Sequence, residues 1–305
     1  MRPRYSRWGA ATELSAFILV VAGSVTACMP DAAGGDAEPT VIPISFFGQD
    51  SLPMVPVTVA GRQVPFILDF GAGITVFSKE LCDSIGCTSS GRMAGVRHTG
   101  EILELSLVQL PTVQLGPLAR DSFIGAVLDM AAWQEVAPVA GVLSLHVLEN
   151  VPFELDLSRR RLVLNPILTA EQSAGMVPGN IAVIRQHAAT VELHVPVFLG
   201  HRKLGWAQLD TGTPTTTLNA VWRGDLNAYG HKLSARRTRG WTGVTDSIEY
   251  WRIEGMSAIT PNMVHDSLRI GVARLVPDGV VGLDLLRRRV LTCDMRRTTC
   301  ALAER

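Results

Sequence analysis

The strongest constraint on the fold is a pattern that occurs twice along the chain. Asp69 and Asp210 each end an apolar run, and a glycine stands two residues after each acid. A Val-Pro-Val segment and a turn precede both acids at nearly the same distance, at 55–57 and 195–197. Each half is therefore predicted to contain a strand, a hairpin turn, a second strand and then the acid.

Later landmarks repeat in the same order. Residues 141–148 match residues 279–286, and each segment is followed by an acid in a predicted strand, Asp156 and Asp294. The spacing between the halves stays almost constant from the first matched pair of acids to the last. This regularity favours a duplicated two-part fold over a chance match of short motifs.

The acid loops resemble those of aspartic peptidases of the pepsin and retropepsin type. The resemblance is carried by 69–72 (Asp-Phe-Gly-Ala), by 210–213 (Asp-Thr-Gly-Thr), and by the downstream segments 142–144 and 280–282. It covers residues 41–305 and is closest to a compact bacterial, lipoprotein-type member. It implies an all-β, two-lobe fold with a pseudo-twofold internal repeat and few short helices, in which a monomer is sufficient to build the site.

The resemblance implies that Asp69 and Asp210 are the catalytic pair. Two carboxyl groups at hydrogen-bonding distance cannot both ionise, so they share one proton. One then acts as a base towards water and the other as an acid towards the peptide carbonyl, without a metal ion or organic cofactor. The expected substrate is a peptide or protein. The supporting residues are expected to be Gly71, Thr211, Gly212 and Thr213.

Phe70 is the main departure from the family pattern. The family places Thr or Ser after each acid, and that hydroxyl bonds the opposite lobe; Thr211 can make its half of this contact but Phe70 cannot. Ser144, in place of a glycine, is a second departure. Two functions therefore stay open: an aspartic endopeptidase, and a weakened or inactive lipoprotein of the same fold that binds peptide or a partner protein.

Each lobe is expected to carry a flap, a hairpin that covers a bound peptide. Residues 91–101 are the candidate in the first lobe, and residues 239–243 in the second. Glycine-rich tips suit a mobile cover, although an ordinary exposed turn remains the alternative. The candidate residues of the first tip are Gly95, Val96, Arg97 and His98.

The N-terminal residues have the layout of an export signal. Three arginines precede an apolar stretch from Leu14 to Val25, which is shorter than the roughly 20 residues of a membrane span. Cys28 stands where a bacterial lipoprotein signal places its lipidated cysteine. The sequence predicts a signal peptide over 1–27 and an exported, membrane-anchored lipoprotein facing the periplasm or exterior, with ordinary secretion as the alternative.

The rest of the chain is predicted to divide into two lobes. A small, polar tether over 28–40 leads to a first lobe over 41–165, and a linker rich in proline and glycine over 166–180 leads to a second lobe over 181–305. Membrane contact is expected only through the lipid anchor. Positive and negative side chains balance at 28 each, which gives no electrostatic case for nucleic acid.

Four cysteines remain after Cys28. In an exported chain, close pairs favour disulfides, here Cys82 with Cys87 and Cys293 with Cys300. Zinc is the rival interpretation, but neither pair has the two-residue spacing of a zinc knuckle, so no metal site is expected.

Overall fold

The computed structural model describes residues 38–47, 52–131, 139–176, 180–186, 190–239, 245–258 and 267–304. The predicted signal peptide, Cys28 and most of the tether lie outside these ranges. Residues 177–179 of the predicted linker and residues 240–243 of the second glycine-rich tip also lie outside them. No helix within the described ranges is long and apolar enough to cross a membrane.

Short strands dominate the first half of the chain. A seven-residue helix, α1, spans Lys79–Ile85, and a 3₁₀ helix spans Leu145–Leu148. The strands are β1 (Thr40–Pro43), β2 (Ser45–Phe47), β3 (Leu52–Val59), β4 (Arg62–Leu68), β5 (Val76–Ser78), β6 (Thr88–Val96), β7 (Ile102–Leu115), β8 (Leu118–Leu128), β9 (Gly141–Leu143), β10 (Pro152–Asp156) and β11 (Arg161–Leu164).

The second half repeats this plan. Its helices are α2 (Ala170–Gly175), a 3₁₀ turn at Ala220–Trp222, α3 (Arg223–Leu226) and α4 (Leu283–Leu286). Its strands are β12 (Ala182–Gln186), β13 (Thr190–Leu199), β14 (Arg202–Leu209), β15 (Thr217–Asn219), β16 (Gly230–Arg239), β17 (Thr245–Ile253), β18 (Met256–Ala258), β19 (Leu268–Ala273), β20 (Gly279–Val281), β21 (Arg289–Asp294) and β22 (Thr299–Glu304).

Each lobe has its own sheet, and the central strands pair in the same way in both. The order is β2-β3-β4-β9-β5-β8-β7-β6 in the first lobe and β12-β13-β14-β20-β15-β19-β17-β16 in the second. In each lobe the strand that precedes the acid runs parallel to the short apolar strand, β4 with β9 and β14 with β20. The predicted all-β, two-lobe fold with few short helices is confirmed.

A third sheet joins the lobes. Its order is β1-β11-β10-β21-β22, so strands from both halves of the chain lie side by side. The junction is the antiparallel pair β10 and β21, where Phe153 lies opposite Cys293 and Leu155 opposite Leu291. Because these inward side chains are buried, the bridging sheet fixes one lobe against the other.

Hydrophobic alternation explains why the strands before the acids form the lobe cores. In β13 the residues Val191, Leu193, Val195 and Val197 are all buried and point to one face, as the period of two requires. Helix α1 begins directly after Ser78, because the Ser78 hydroxyl accepts a hydrogen bond from Leu81 N at 3.1 Å and so caps the helix.

Both cysteine pairs are joined by disulfides. Cys82 and Cys87 close the C-terminal end of α1, with their Cα atoms 5.0 Å apart. Cys293 and Cys300 lie directly opposite each other in β21 and β22, with their Cα atoms 4.1 Å apart. The second bond ties together the outer hairpin of the bridging sheet.

Candidate active site

The two acids stand at matched places where the lobes meet. Asp69 follows β4, and its amide donates to Leu143 O at 2.9 Å; Asp210 follows β14, and its amide donates to Val281 O at 3.0 Å. The short strands β9 and β20, which contain most of segments 142–144 and 280–282, therefore hold the starts of the two acid loops. Both acids are fully buried.

The glycines allow the two carboxyl groups to approach each other. A Cβ atom added to Gly71 would lie 2.6 Å from both carboxyl oxygens of Asp210, and one added to Gly212 would press on the carboxyl group of Asp69. Each acid thus packs against the glycine of the opposite loop. A residue with a side chain at either glycine would occupy the space of the carboxyl group.

Backbone amides orient one oxygen of each acid. Asp69 Oδ1 accepts from Gly71 N at 2.8 Å and from Ala72 N at 3.1 Å, and Asp210 Oδ1 accepts from Gly212 N at 2.6 Å. The carboxyl groups are therefore held by their own loops while their remaining oxygens face the junction of the lobes.

The pKa of Asp69 is raised well above its ordinary value. Burial is the largest cause, followed by the charge of Asp210 and a hydrogen bond with its side chain, while the amides of Gly71 and Ala72 act in the opposite direction. Two acids so close cannot both ionise, so the pair retains a proton at a pH where an exposed aspartate has lost its own.

Thr211 makes its half of the contact between the loops. Its hydroxyl donates to Leu68 O at 2.6 Å and accepts from Phe70 N at 3.0 Å. Phe70 has no hydroxyl with which to return this contact. Its ring is fully buried and packs edge-on against Phe153 of β10, with ring centroids 5.6 Å apart. Phe70 therefore contributes apolar packing in the core, where a Thr or Ser would contribute a hydrogen bond between the loops.

Replacing Phe70 with Thr is consequently expected to lower stability, even though it restores the family pattern. Removing a buried aromatic ring costs about 3 kcal/mol, whereas the regained hydrogen bonds contribute about 1 kcal/mol each. We expect Phe70→Thr to reduce the free energy of unfolding by about 1 to 3 kcal/mol in denaturant titrations. Phe70→Leu, which keeps an apolar side chain, should lose less. An unchanged or higher value for Phe70→Thr would contradict the packing role.

The hydroxyl groups of Thr75 and Thr216, at matched positions of the two lobes, connect the acid loops to the segments that follow β9 and β20. Thr75 Oγ1 lies 3.0 Å from Ser144 Oγ and accepts from Ser144 N at 3.1 Å. In the second lobe Thr216 Oγ1 accepts from Gly282 N at 3.0 Å and donates to Asp284 at 2.6 Å. Ser144 thus replaces glycine without breaking the contact. Sequence reasoning missed these threonines, although the constant spacing of the repeat pairs them.

The predicted supporting residues lie around the acids. Gly71, Thr211 and Gly212 make the contacts described above, and Thr213 is buried with its carbonyl accepting from Leu283 N at 2.9 Å. Within the described ranges, no group of three or more His, Cys, Asp or Glu side chains could hold a metal ion.

The predicted first flap is the hairpin of β6 and β7, and its tip is docked on the second lobe. His98 Nε2 lies 2.7 Å from Gln208 Oε1, and His98 O accepts from Val276 N at 2.6 Å. Gly95, Arg97 and His98 are buried and Val96 is half-buried, so the alternative of an exposed turn does not hold for this tip. Arg97 forms an ion pair with Glu101 at 2.8 Å.

Comparison with known proteins agrees with this architecture. Residues 55–147 match the model of a family described as aspartyl protease, a range that contains Asp69 and the docked hairpin. Conglutin gamma, a basic 7S globulin from lupine seeds, has a crystal structure with a TM-score of 0.50, 12% identity, and coverage of 88% of this chain and 95% of that chain. The chain has the two-lobe fold of the aspartic peptidases.

Two further crystal structures resemble this chain. That of edgp has a TM-score of 0.50, 10% identity, and coverage of 87% of this chain and 94% of that chain. That of basic 7S globulin from soybean has a TM-score of 0.45, 13% identity, and coverage of 87% and 94%. At these identities the likeness of the two-lobe fold does not extend to activity. No curated protein matches the sequence.

The docked hairpin is expected to loosen in acid. Burial is the main cause that lowers the pKa of His98 from 6.5 to about 4; the hydrogen bond with Gln208 opposes it, and electrostatic interactions with Arg97 and His194 lower the pKa further. Neutral His98 therefore favours docking. Its contribution is complete above pH 6.5 and is lost progressively as the pH falls through about 4, which weakens the docking equilibrium on the order of 100-fold by pH 4.

Hydrogen exchange of the amides at 97–101, compared at pH 7 and pH 4, checks this expectation. His98→Gln is the matched control, because its amide can donate to Gln208 but does not titrate. After correction for intrinsic exchange, the wild type should lose protection at pH 4 and the variant should not. Equal pH dependence in both proteins would remove His98 as the cause.

Proposed function

We propose that this protein is an aspartic endopeptidase that hydrolyses peptide bonds with a water molecule activated between Asp69 and Asp210. The observation that carries the proposal is the approach of two buried carboxyl groups from matched loops, each against the glycine of the other. The raised pKa of Asp69 supports it, since a dyad that keeps one proton supplies both an acid and a base.

The mechanism follows from one shared proton. The ionised carboxylate takes a proton from water, and the oxygen of that water forms a bond to the carbonyl carbon of the substrate. The protonated carboxyl group donates its proton to the carbonyl oxygen, which gives a neutral tetrahedral intermediate. Collapse breaks the C–N bond: the protonated carboxyl group of the dyad gives its proton to the leaving nitrogen, and the other carboxylate takes a proton from a hydroxyl group of the intermediate, so a carboxylic acid and an amine leave and the pair keeps one proton.

The substrate must displace the docked hairpin to reach the dyad. Both acids are fully buried, and the tip of the β6–β7 hairpin contacts the second lobe two residues before Asp210. The proposed cycle therefore includes an opening of the hairpin, after which an extended peptide enters between the lobes and the hairpin closes over it.

A second candidate is a protein of this fold that binds peptides without cleaving them. Phe70 favours it, because its ring cannot return the contact that the hydroxyl of Thr211 makes between the loops, and geometric precision controls the rate of such chemistry. The predicted export signal, the lipid anchor at Cys28 and a location at the periplasm or exterior stay predictions of the sequence for either candidate.

A peptide-library digest from acidic to neutral pH distinguishes the two candidates. Cleavage products identified by mass spectrometry should show internal cuts, as expected for an endopeptidase. A peptide in which a hydroxyethylene group replaces the scissile amide imitates the tetrahedral intermediate, and it should inhibit strongly. Peptides that bind but stay intact at every pH would favour the binding protein.

A further inference from the structure

Two runs of arginines meet at one end of the bridging sheet. The first run, 159–161, lies at the turn between β10 and β11, and the second run, 287–289, leads into β21. Leu155 of β10 lies opposite Leu291 of β21 in an antiparallel pair. The residues after Leu155 and those before Leu291 therefore extend to the same end of the sheet. We call the residues of these two runs the arginine cluster.

The ring of Phe46 connects the two runs. The guanidinium carbon of Arg160 lies 5.5 Å from the centroid of this ring, and that of Arg287 lies 5.7 Å from it. Phe46 belongs to β2 of the first lobe, whereas Arg287 follows α4 of the second lobe. Because a cation near an aromatic ring is attracted by it, these contacts hold the two runs together across the boundary between the lobes.

The arginine cluster presents positive charge to solvent. Arg161 is paired with Glu154 at 2.9 Å, but Arg160 and Arg288 are exposed and make no ion pair with an acid in the described ranges. The whole chain carries equal numbers of positive and negative side chains, so the concentration of charge is a local feature. Such a cluster attracts an anionic surface.

The N-terminal part of the chain enters the same sheet. β1 pairs with β11, where Thr40 lies opposite Leu164 and Pro43 lies opposite Arg161. The chain therefore runs towards the arginine cluster as it enters the fold, over about 10 Å of strand. The predicted tether between Cys28 and Thr40 can extend to about 40 Å. A membrane that holds a lipid anchor at Cys28 is thus within reach of the cluster.

We propose that the arginine cluster docks on an anionic membrane surface and orients the two lobes beside the predicted lipid anchor. Guanidinium groups bind phosphate through paired hydrogen bonds, and each basic side chain close to an anionic leaflet strengthens the attraction. Lipid phosphates spread over a plane match several arginines at the end of one sheet. This contact adds to the predicted anchor and does not depend on the proposed peptidase activity.

Vesicle binding of the full chain with Cys28→Ser tests this contact without a lipid attached to the protein. Vesicles of phosphatidylcholine alone are compared with vesicles that contain phosphatidylcholine and phosphatidylglycerol in equal amounts. The parent should prefer the anionic vesicles and lose this preference as salt is added. Arg160→Gln combined with Arg288→Gln should weaken binding to anionic vesicles about tenfold. Lysine at both positions keeps the charges and should weaken binding far less.

Arg296→Gln combined with Arg297→Gln is the matched control, because it removes the same charge from the opposite end of the sheet. These exposed arginines follow Asp294, which lies opposite Pro152, roughly 20 Å of strand away from the arginine cluster. Salt screens charges at that distance, so the control should bind anionic vesicles like the parent. All double variants should keep the melting temperature of the parent, since the substituted side chains are exposed.

The arginines of the predicted signal peptide are present in every variant, so a difference between variants reports on the arginine cluster. Equal binding of the parent to both kinds of vesicle would overturn the membrane contact. An equal loss in the two glutamine variants would overturn it as well, because net charge and not the cluster would then control binding. Binding to DNA of mixed sequence in preference to anionic vesicles would assign the cluster to nucleic acid instead.

Discussion

Asp69→Asn and Asp210→Asn are each expected to lower kcat for peptide hydrolysis by about 10³-fold or more. An asparagine side chain neither takes a proton from water nor donates one to the carbonyl oxygen, so either substitution removes one half of the acid-base pair. Because the two acids act as one unit, the double variant should lose little more activity than either single variant.

The substitution is nearly isosteric, so folding should survive it. The raised pKa of Asp69 shows that its charged form is disfavoured in the folded protein, and a neutral amide should therefore leave the melting temperature unchanged or higher. Asp83→Asn is the matched control, since Asp83 is an exposed acid of α1 that pairs with Lys79, and this variant should keep its activity. Undiminished cleavage by either dyad variant would sink the assignment.

The pH profile of the wild type offers a further check on the same pair. The one-proton state of the dyad is lost when the pH rises through its upper pKa, which burial and the second acid shift upward, and also when both acids protonate at low pH. Activity should therefore have a maximum in acid and extend to a higher pH than the ordinary pKa of an aspartate suggests. A rate that keeps rising above neutral pH would contradict a shared proton.

Gly71→Ala is expected to produce the second large effect. The added Cβ would lie 2.6 Å from both carboxyl oxygens of Asp210, so the acids must move apart or the loop must shift. A displacement of about 1 Å at reacting groups costs on the order of 10²-fold in rate, and crowding a packed interface costs about 1 to 3 kcal/mol of stability. Gly212→Ala should act similarly through Asp69.

Gly224→Ala makes the same chemical change in open space. Apart from its chain neighbours and the backbone of its own helix, no atom in the described part of the chain lies within 4 Å of its added Cβ, and Gly224 is in α3, where alanine is the better helix former. This control should keep its activity and gain up to about 1 kcal/mol in the free energy of unfolding. Activity and chemical denaturation measured on all three variants check the comparison. Equal activity of Gly71→Ala and Gly224→Ala would show that the acids do not need their close approach.

The sequence alone predicted the architecture because its signals are local and repeated. Alternating apolar residues define the strands, and the acids at the ends of matched strands define where the lobes meet. The pairing of the cysteines could be predicted for the same reason, since each cysteine lies within a few residues of its partner. The strands and the disulfides each involve residues that are close in the sequence, so the spacing of residue types is enough to predict them.

The tertiary structure decided how the two halves meet. His98 and Gln208 lie in different lobes, and no periodicity of the sequence connects an imidazole in a turn with an amide in a distant strand. The sequence likewise showed that Phe70 lacks the hydroxyl of the family pattern. Only the tertiary structure shows that its ring packs against Phe153 of the bridging sheet. Contacts between distant segments depend on the relative placement of two folded lobes. The sequence thus determined the fold and the pair of acids, and packing between the lobes determined that the hairpin is docked beside the buried dyad.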